Sequence, residues 1–393
     1  MKDPIVIVSA ARTPIAAFQG AFSSLSANDL GAAAIKAAIE RAGIATDAVQ
    51  EVLFGNCLMA GQGQAPARQA AIKAGLPYSA GAVTLSKMCG SGMKAAMLAH
   101  DSLLAGTNDV VVAGGMESMT NAPYLIPKAR GGYRIGHGTI YDHMALDGLE
   151  DAYQKGQAMG VFAEDCAAKY GFTREEQDAF AVQSVKRAQA ASADGSFDWE
   201  IVPVAVETRE GTIQVTKDEG PTKARLEKIP SLKPAFKKDG TITAASSSSI
   251  NDGAAALVLM RASTADRLGV APVARILGHA THSQDPAWFT TAPVGAVRKL
   301  MDRIDASTRD FDLYEVNEAF AAVPMALMKE FGLPHDIVNV NGGACALGHP
   351  IGASGARIIA TLLGALKKRG LKRGVATLCI GGGEGTAMAV ELM

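Results

Sequence analysis

No stretch of the chain stays apolar for long enough to cross a bilayer, which argues against a membrane-spanning helix. The start, MKDPIVIVSAARTP, passes from a charged pair straight into the strand-like IVIVSA, so no signal or transit segment is expected. No two of the five cysteines (Cys57, Cys89, Cys166, Cys345, Cys379) stand at CxxC spacing. A disulfide frame and a cysteine-held metal are therefore not expected, no metal site is read from the sequence, and a reducing, cytoplasmic setting fits. An excess of one charge is also missing: 38 Lys and Arg face 39 Asp and Glu, for a net charge of −1. The one compact basic group, KKRGLKR at 367–373, follows a helical pattern and reads as a solvated turn. Nucleic acid is not an expected partner. GxGxxG spacing is absent too; the glycine cluster GGGEG has no acidic residue about twenty positions on, so it is not read as a dinucleotide site.

What remains is a large chain rich in apolar residues: 393 residues, 48% of them apolar, enough for two or three domains or two fused halves. Two stretches resemble each other. CGSGMKAAMLAHDSLLAGTNDVVVAGGMES (89–118) and GASGARIIATLLGALKKRGLKRGVATLCIGGGEG (352–385) each open on x-Ser-Gly and run through an apolar helix pattern, a Gly-ended turn and a β-rich run. Each then reaches a glycine cluster before Glu117 or Glu384. This order of features predicts an internal duplication, with Gly114-Gly115 and Gly381-Gly382-Gly383 ending equivalent strands.

Strands are expected at Ile5–Ser9, Glu51–Phe54 and Ala254–Met260, and a helix is expected with Asn28 as its cap, running to about Arg41 and closed by Gly43. Residues 121–245 differ in texture, with one clear helix where Thr173 and Glu176 make a capping-box pattern. The expected division is 1–120, completed by 246–270, then a loop domain at 121–245, then a second half at 271–393.

Chemistry points first to Cys89. Alone, a cysteine is usually a small core residue. Here it stands before Gly90-Ser91-Gly92 at a helix mouth, where free N–H groups and the dipole favour a thiolate and receive a developing oxyanion. His349, between Gly348 and Pro350, suits a base on a shaped loop; its other reading is a turn histidine bonded to backbone. Cys379 lies near a strand end, where sites form in α/β sheets, and reads equally as a core residue. Asn317 precedes a helical run, so capping is its simplest role. Cys57, Cys166 and Cys345 read as packing.

Over almost its whole length the chain resembles the thiolases. The matches are KMCGSGMKA around Cys89, GGMESMTNAPY from Gly114, INDGAAALVL from Ile250, NEAFA from Asn317, and the pair GGACALGHPIGASGAR and CIGGGEGTA. The resemblance implies an α/β fold with two duplicated βαβαβαββ halves in five α-β-α-β-α layers plus a loop domain. It implies condensation of two acetyl-CoA to acetoacetyl-CoA and CoA, and the reverse cleavage. Cys89 would carry the acyl group, His349 would activate it, and Cys379 would move the α-proton. Asn317 with His349, and the N–H groups of Cys89 and Gly381, would form two oxyanion holes. Ser248, Ala319 and Phe320 match the wall of the pantetheine channel, and Leu149, Met159 and Phe236 match positions near the CoA body. Lys223 stands near the place of an arginine that often meets the CoA phosphates. Phe289 would bound a short acyl pocket.

The implied partners are acyl-CoA thioesters, which are substrates, with no other cofactor. A homotetramer is implied, with residues about 125–140 as contact loop. A broad-range degradative 3-ketoacyl-CoA thiolase and a ketoacyl-carrier-protein synthase are the nearest alternatives; an idle lipid-binding protein and a nicotinamide dehydrogenase are more distant ones.

Two thiols suit such chemistry. A thiolate attacking a thioester returns a thioester of similar energy, so the reaction runs both ways. Each oxyanion donor contributes roughly 3 kcal/mol to the barrier. The proton-moving thiol needs a pKa near neutrality, which a dry, glycine-walled pocket beside His349 is expected to supply.

Overall fold

The computed structural model describes residues 3–393. The chain begins with β1 (Ile5–Arg12), β2 (Ala16–Ala17), α1 (Ala27–Ala42), β3 (Glu51–Gly55), α2 (Pro66–Lys73), β4 (Gly81–Leu85), α3 (Ser91–Leu104) and β5 (Val110–Ser118). A less regular region follows, with β6 (Tyr124–Leu125), β7 (Tyr141–Asp142), α4 (Met159–Tyr170), α5 (Arg174–Ala193), β8 (Val204–Thr208), β9 (Gly211–Val215) and α6 (Glu219–Lys223). Next come β10 (Asn251–Arg261), α7 (Ala262–Leu268), β11 (Ala274–Ser283), α8 (Ala292–Ile304), β12 (Leu313–Val316) and α9 (Ala322–Phe331). The last elements are α10 (Ala344–Leu347), α11 (Ile351–Arg369), β13 (Arg373–Ile380) and β14 (Glu384–Leu392).

The strands pair in the order β12-β13-β14-β11-β1-β10-β5-β3-β4, with β2 beside β10. Two half-sheets meet where β1 touches β11, and the ladder there is only two residue pairs long: Val6 with Arg275 and Ile7 with Ala274. The side chains explain the layering. Along β1, Val6 and Val8 join one core cluster with α1 and α2, while Ile5 and Ile7 join another with α3 and α11. Along β5, Val110 and Val112 face the first cluster, Val111 and Ala113 the second. This period-2 alternation lets each sheet bury both faces. The far half-sheet closes against α8 and α9 through a third cluster containing Leu300, Leu327 and Val375. Five layers result, helices alternating with sheets, with α3 and α11 shared in the middle.

From Ile351 to Leu366, α11 is buried on every side, as a mostly small and apolar sequence requires of a central helix; its one charged residue there, Arg357, is ion-paired. Ile358, Ile359, Leu362 and Leu363 are all fully buried, each contributing roughly 2 kcal/mol of hydrophobic burial.

The structure departs from the sequence reading at three places. The α1 N-cap is Ser26, in a capping box with Asp29, not Asn28. Asn28 is instead buried and donates to Gln69 Oε1 at 2.8 Å. Gly114-Gly115 does not end a strand, because β5 runs on to Ser118. A Cβ on Gly115 would stand 2.0 Å from the Gly352 carbonyl oxygen, so glycine is needed there for the close approach of α11. Only Gly381-Gly382-Gly383 makes a turn, between β13 and β14, with φ of 96° and 85° at the last two. The duplication is also incomplete. In the second half the counterpart of β4 shrinks to one bridge, Tyr314 with Val338. Asn339, at φ 49°, turns the chain away, and its side chain takes over the ladder bonds of Val316 at 2.7 and 2.8 Å.

Candidate active site

Cys89 sits on a sharp turn between β4 and α3. Met88, just before it, holds φ at 45°, an unusual conformation for a methionine. The strain persists because the turn is over-determined: the Met88 carbonyl accepts from Ser91 N at 2.9 Å, Ser91 Oγ at 2.7 Å and Cys57 Sγ at 3.3 Å. Cys57 packs against the Leu58, Met119 and Ile351 cluster and also donates to this turn. Gly90 lets this turn press on the end of β13, where a Cβ would stand 2.4 Å from Ile380 Cδ1.

His349 lies between α10 and α11. Its backbone N–H donates to Asn251 Oδ1 at 3.2 Å. Its Nδ1 is 2.5 Å from Ser354 Oγ, one turn into α11. Ser354 gives its own proton to the Pro350 carbonyl at 2.9 Å, so the hydroxyl accepts from Nδ1–H. Nε2 then carries the lone pair, and Asn317 Nδ2 faces it at 3.5 Å. Asn317 is not a helix cap, because α9 starts at Ala322. It extends β12, with its N–H on the Thr377 carbonyl at 3.0 Å, and Arg357 at 3.3 Å from Oδ1 orients its amide. Arg357 is itself buried and paired with Glu315 at 2.9 Å.

Glu117 ties the two halves together beneath these groups. Its buried carboxylate accepts from Asn56 Nδ2 at 2.7 Å, Cys57 N at 3.0 Å, Leu58 N at 3.1 Å and Gly352 N at 2.9 Å. The last donor belongs to the first turn of α11, where a negative charge is favoured.

Met88, Cys89, Leu149, Met159, Ser248, Phe289, Ala319, Phe320, His349, Ile351 and Gly381 line, with Gly148, one mostly apolar cavity of about 70 Å³. Thus two catalytic candidates, the Gly381 turn and most predicted substrate contacts come together. Cys379 and Asn317 are fully buried behind this lining, Cys379 close enough to Cys89 for a charge there to disfavour its own. Phe236 stands one ring back, edge-on to Phe320 at 5.7 Å between centroids. Lys223 is not part of the cavity; its ammonium lies on the surface 3.5 Å from Glu219 Oε1. Sequence reasoning passed over Ser354, Arg357, Asn251 and Glu117. All four sit inside motifs quoted for other residues, and only the fold shows what they touch.

Electrostatics overturn one expectation. A dry pocket does not bring these thiols towards neutrality; it raises them. Burial pushes Cys89 up to about 11, against the N–H groups of Gly381 and Cys89 itself, which pull it down. Burial and the neighbouring Cys89 push Cys379 well above the usual thiol range. Burial, aided by Arg357, pushes His349 down to about 3. At neutral pH the resting groups are two thiols and a neutral imidazole whose free lone pair can take a proton.

The thiolase N-terminal domain model matches residues 5–263 and the thiolase C-terminal domain model residues 270–392. The acetyl-CoA acetyltransferase of Cupriavidus necator is 50% identical, covering 98% of this chain and 99% of its own. Acetyl-CoA acetyltransferase 1 of Arabidopsis thaliana is 50% identical, covering 99% and 94%. The crystal structure of the Bacillus anthracis acetyl-CoA acetyltransferase superposes with a TM-score of 0.96 at 41% identity, covering 100% of this chain and 99% of that one. An Ascaris suum thiolase solved in complex with coenzyme A gives 0.94 at 42% identity, covering 99% and 100%. With both family domains matched in order and the duplicated five-layer fold around a shared thiol–imidazole cavity, this chain belongs to the thiolase family.

Proposed function

We propose that the chain is an acetyl-CoA C-acetyltransferase, joining two acetyl-CoA into acetoacetyl-CoA and CoA, and running the reverse cleavage. The observation that carries this reading is one small cavity holding Cys89 and His349, backed by the second thiol, Cys379. The cavity is small, about 70 Å³, and mostly apolar, which suits a short acyl group. Phe289, 3% exposed and edge-on to Phe320 at 6.4 Å, closes the acyl end.

The residues divide the work as follows. His349 Nε2 takes the Cys89 proton as the sulfur attacks the thioester carbonyl, and hands it to the departing CoA sulfur. Because the resting pair is neutral, proton transfer accompanies attack. Acetyl-Cys89 remains. His349 then draws the Cys379 proton, and the thiolate so formed takes an α-proton from a second acetyl-CoA, whose enolate oxygen rests against Asn317 and the Nε2–H of His349. Ser354 Oγ goes on accepting from Nδ1–H, which supports the imidazolium while Nε2 carries that proton. The α-carbon attacks the acetyl carbonyl, whose oxygen meets the N–H groups of Cys89 and Gly381. Collapse frees the Cys89 sulfur, which recovers a proton from His349, and Cys379 keeps the one taken from the α-carbon.

Each step balances with protein groups and CoA thioesters alone, so no further cofactor is invoked. Two working thiols favour a reducing compartment such as the cytoplasm, and the five cysteines are free. A homotetramer built through residues about 125–140 is supported by apolar side chains exposed there, Ile135 at 97% and Ile140 at 61%.

Mass spectrometry after incubation with acetyl-CoA tests the reading. A hydroxylamine-labile acetyl group on the Cys89 peptide, released as acetoacetyl-CoA on adding more substrate, is expected. An unmodified Cys89 in protein that turns over substrate would overturn it.

A further inference from the structure

We propose that His100, Asp101 and His279 form a binding site for a divalent transition-metal ion of the zinc class. The three residues lie apart from the thiol cavity. His100 and Asp101 follow each other on α3, about 14 Å along that helix from Ser91 at a rise of about 1.5 Å per residue. His279 comes from β11, in the other half of the fold.

The geometry points to a metal because three ligand atoms meet at one place. Asp101 Oδ1 is 3.0 Å from His279 Nε2 and 3.3 Å from His100 Nδ1, and the two ring nitrogens are 3.2 Å apart. The triangle is nearly equilateral. A tetrahedral zinc ion with bonds of about 2.0–2.2 Å to nitrogen and oxygen has edges of about 3.3 Å between its ligands. The imidazoles stand at 88° to one another, so their nitrogens converge on a point instead of stacking. Hydrogen bonds alone account for this less well. Asp101 Oδ1 can accept from both rings only if the two N–H groups face each other at 3.2 Å.

The surroundings fit a cation. Both imidazoles are largely buried, their side chains 13% and 7% exposed. One side of the triangle opens on a cleft of about 770 Å³, leaving room for a fourth ligand from solvent. Arg303 and Arg373 border that cleft, as do Asp305 and Asp310. Arg303 is directed at the His279 carbonyl at 2.7 Å, and Arg373 is paired with Glu391 at 2.8 Å. With Asp101, three carboxylates face two guanidiniums. An ion here would bind α3 to β11, at a junction where the half-sheets share only two residue pairs. The sequence hid the site because its ligands are 178 residues apart and none is a cysteine.

The test uses full-length protein, stripped with chelator, with Cys89 blocked by iodoacetamide so that active-site thiols cannot hold the ion. Titration with cobalt(II) should give the visible bands of a low-symmetry four-coordinate ion at one equivalent per chain. Zinc should displace cobalt and raise Tm. His279→Asn should weaken binding about 100-fold and abolish the Tm shift, while unblocked enzyme of the same variant keeps its acetyl-transfer activity. His100→Asn, on the more open helix, gives the same readout should the buried variant fail to fold. Absence of stoichiometric cobalt binding, or binding unchanged in both variants, would overturn the proposal.

Discussion

Ser354 Oγ stands 2.5 Å from His349 Nδ1 and donates its own proton to the Pro350 carbonyl, so a single hydroxyl sets which imidazole nitrogen carries hydrogen. Ser354→Ala removes that control without touching the cavity lining. The expected result is a fall in kcat of about 100-fold with KM for acetyl-CoA little changed. Steady-state kinetics in both directions check this; a KM effect alone would mean that Ser354 shapes binding instead.

Phe289 lines the cavity next to Phe320, and the proposed function puts it at the acyl end. Phe289→Ala should open room for longer chains. The ratio of kcat/KM for a six-carbon over a four-carbon ketoacyl-CoA should rise at least about tenfold, since two further methylenes become buried at about 0.8 kcal/mol each. An unchanged ratio would place the chain-length limit elsewhere.

Glu117 receives four N–H donors and gives none. Glu117→Gln sets an amide N–H₂ against two of those donors. A loss of about 3 kcal/mol in stability is expected, visible as a lower urea midpoint. Because one donor is Gly352 N, the turn carrying His349 should shift too, and acetyl transfer should fall with it. A variant as stable and as active as the parent would show that the donors can do without the charge.

His349 is held neutral by burial, its pKa falling from the ordinary 6.5 to about 3. Between these values the unfolded chain binds a proton that the folded chain does not. The group therefore costs stability as pH falls from about 6.5 towards 3, and costs nothing above 6.5. His349→Asn should lose less stability than the parent between pH 6.5 and 4, with equal slopes above pH 7. Chemical denaturation across that range measures the difference. Parallel curves would show that the imidazole titrates freely.

The sequence made the catalytic motifs legible because each joins a reactive side chain to glycines or a helix start within a few positions, as in Cys89-Gly90-Ser91-Gly92. The α5 capping box at Thr173 and Glu176 was legible for the same reason: all its chemistry is local. What escaped was long-range. Gly115 reads as a turn residue until the Gly352 carbonyl is seen in the space its side chain would fill. Asn28 reads as a cap until Ser26 is found to do that work. The thiol pKa values could not be read at all, since glycine and helix-mouth signals point one way and burial, which only the fold reveals, prevails in the other.

Helix α11 lies between both half-sheets and is enclosed from Ile351 to Leu366. Neither half can therefore stand as an independent module: cutting the chain between them would strip shelter from the very element that carries Ser354 and Arg357. Whatever ancestral unit was doubled, its two descendants now share a spine, and only their outer surfaces and channel rims are free to drift apart.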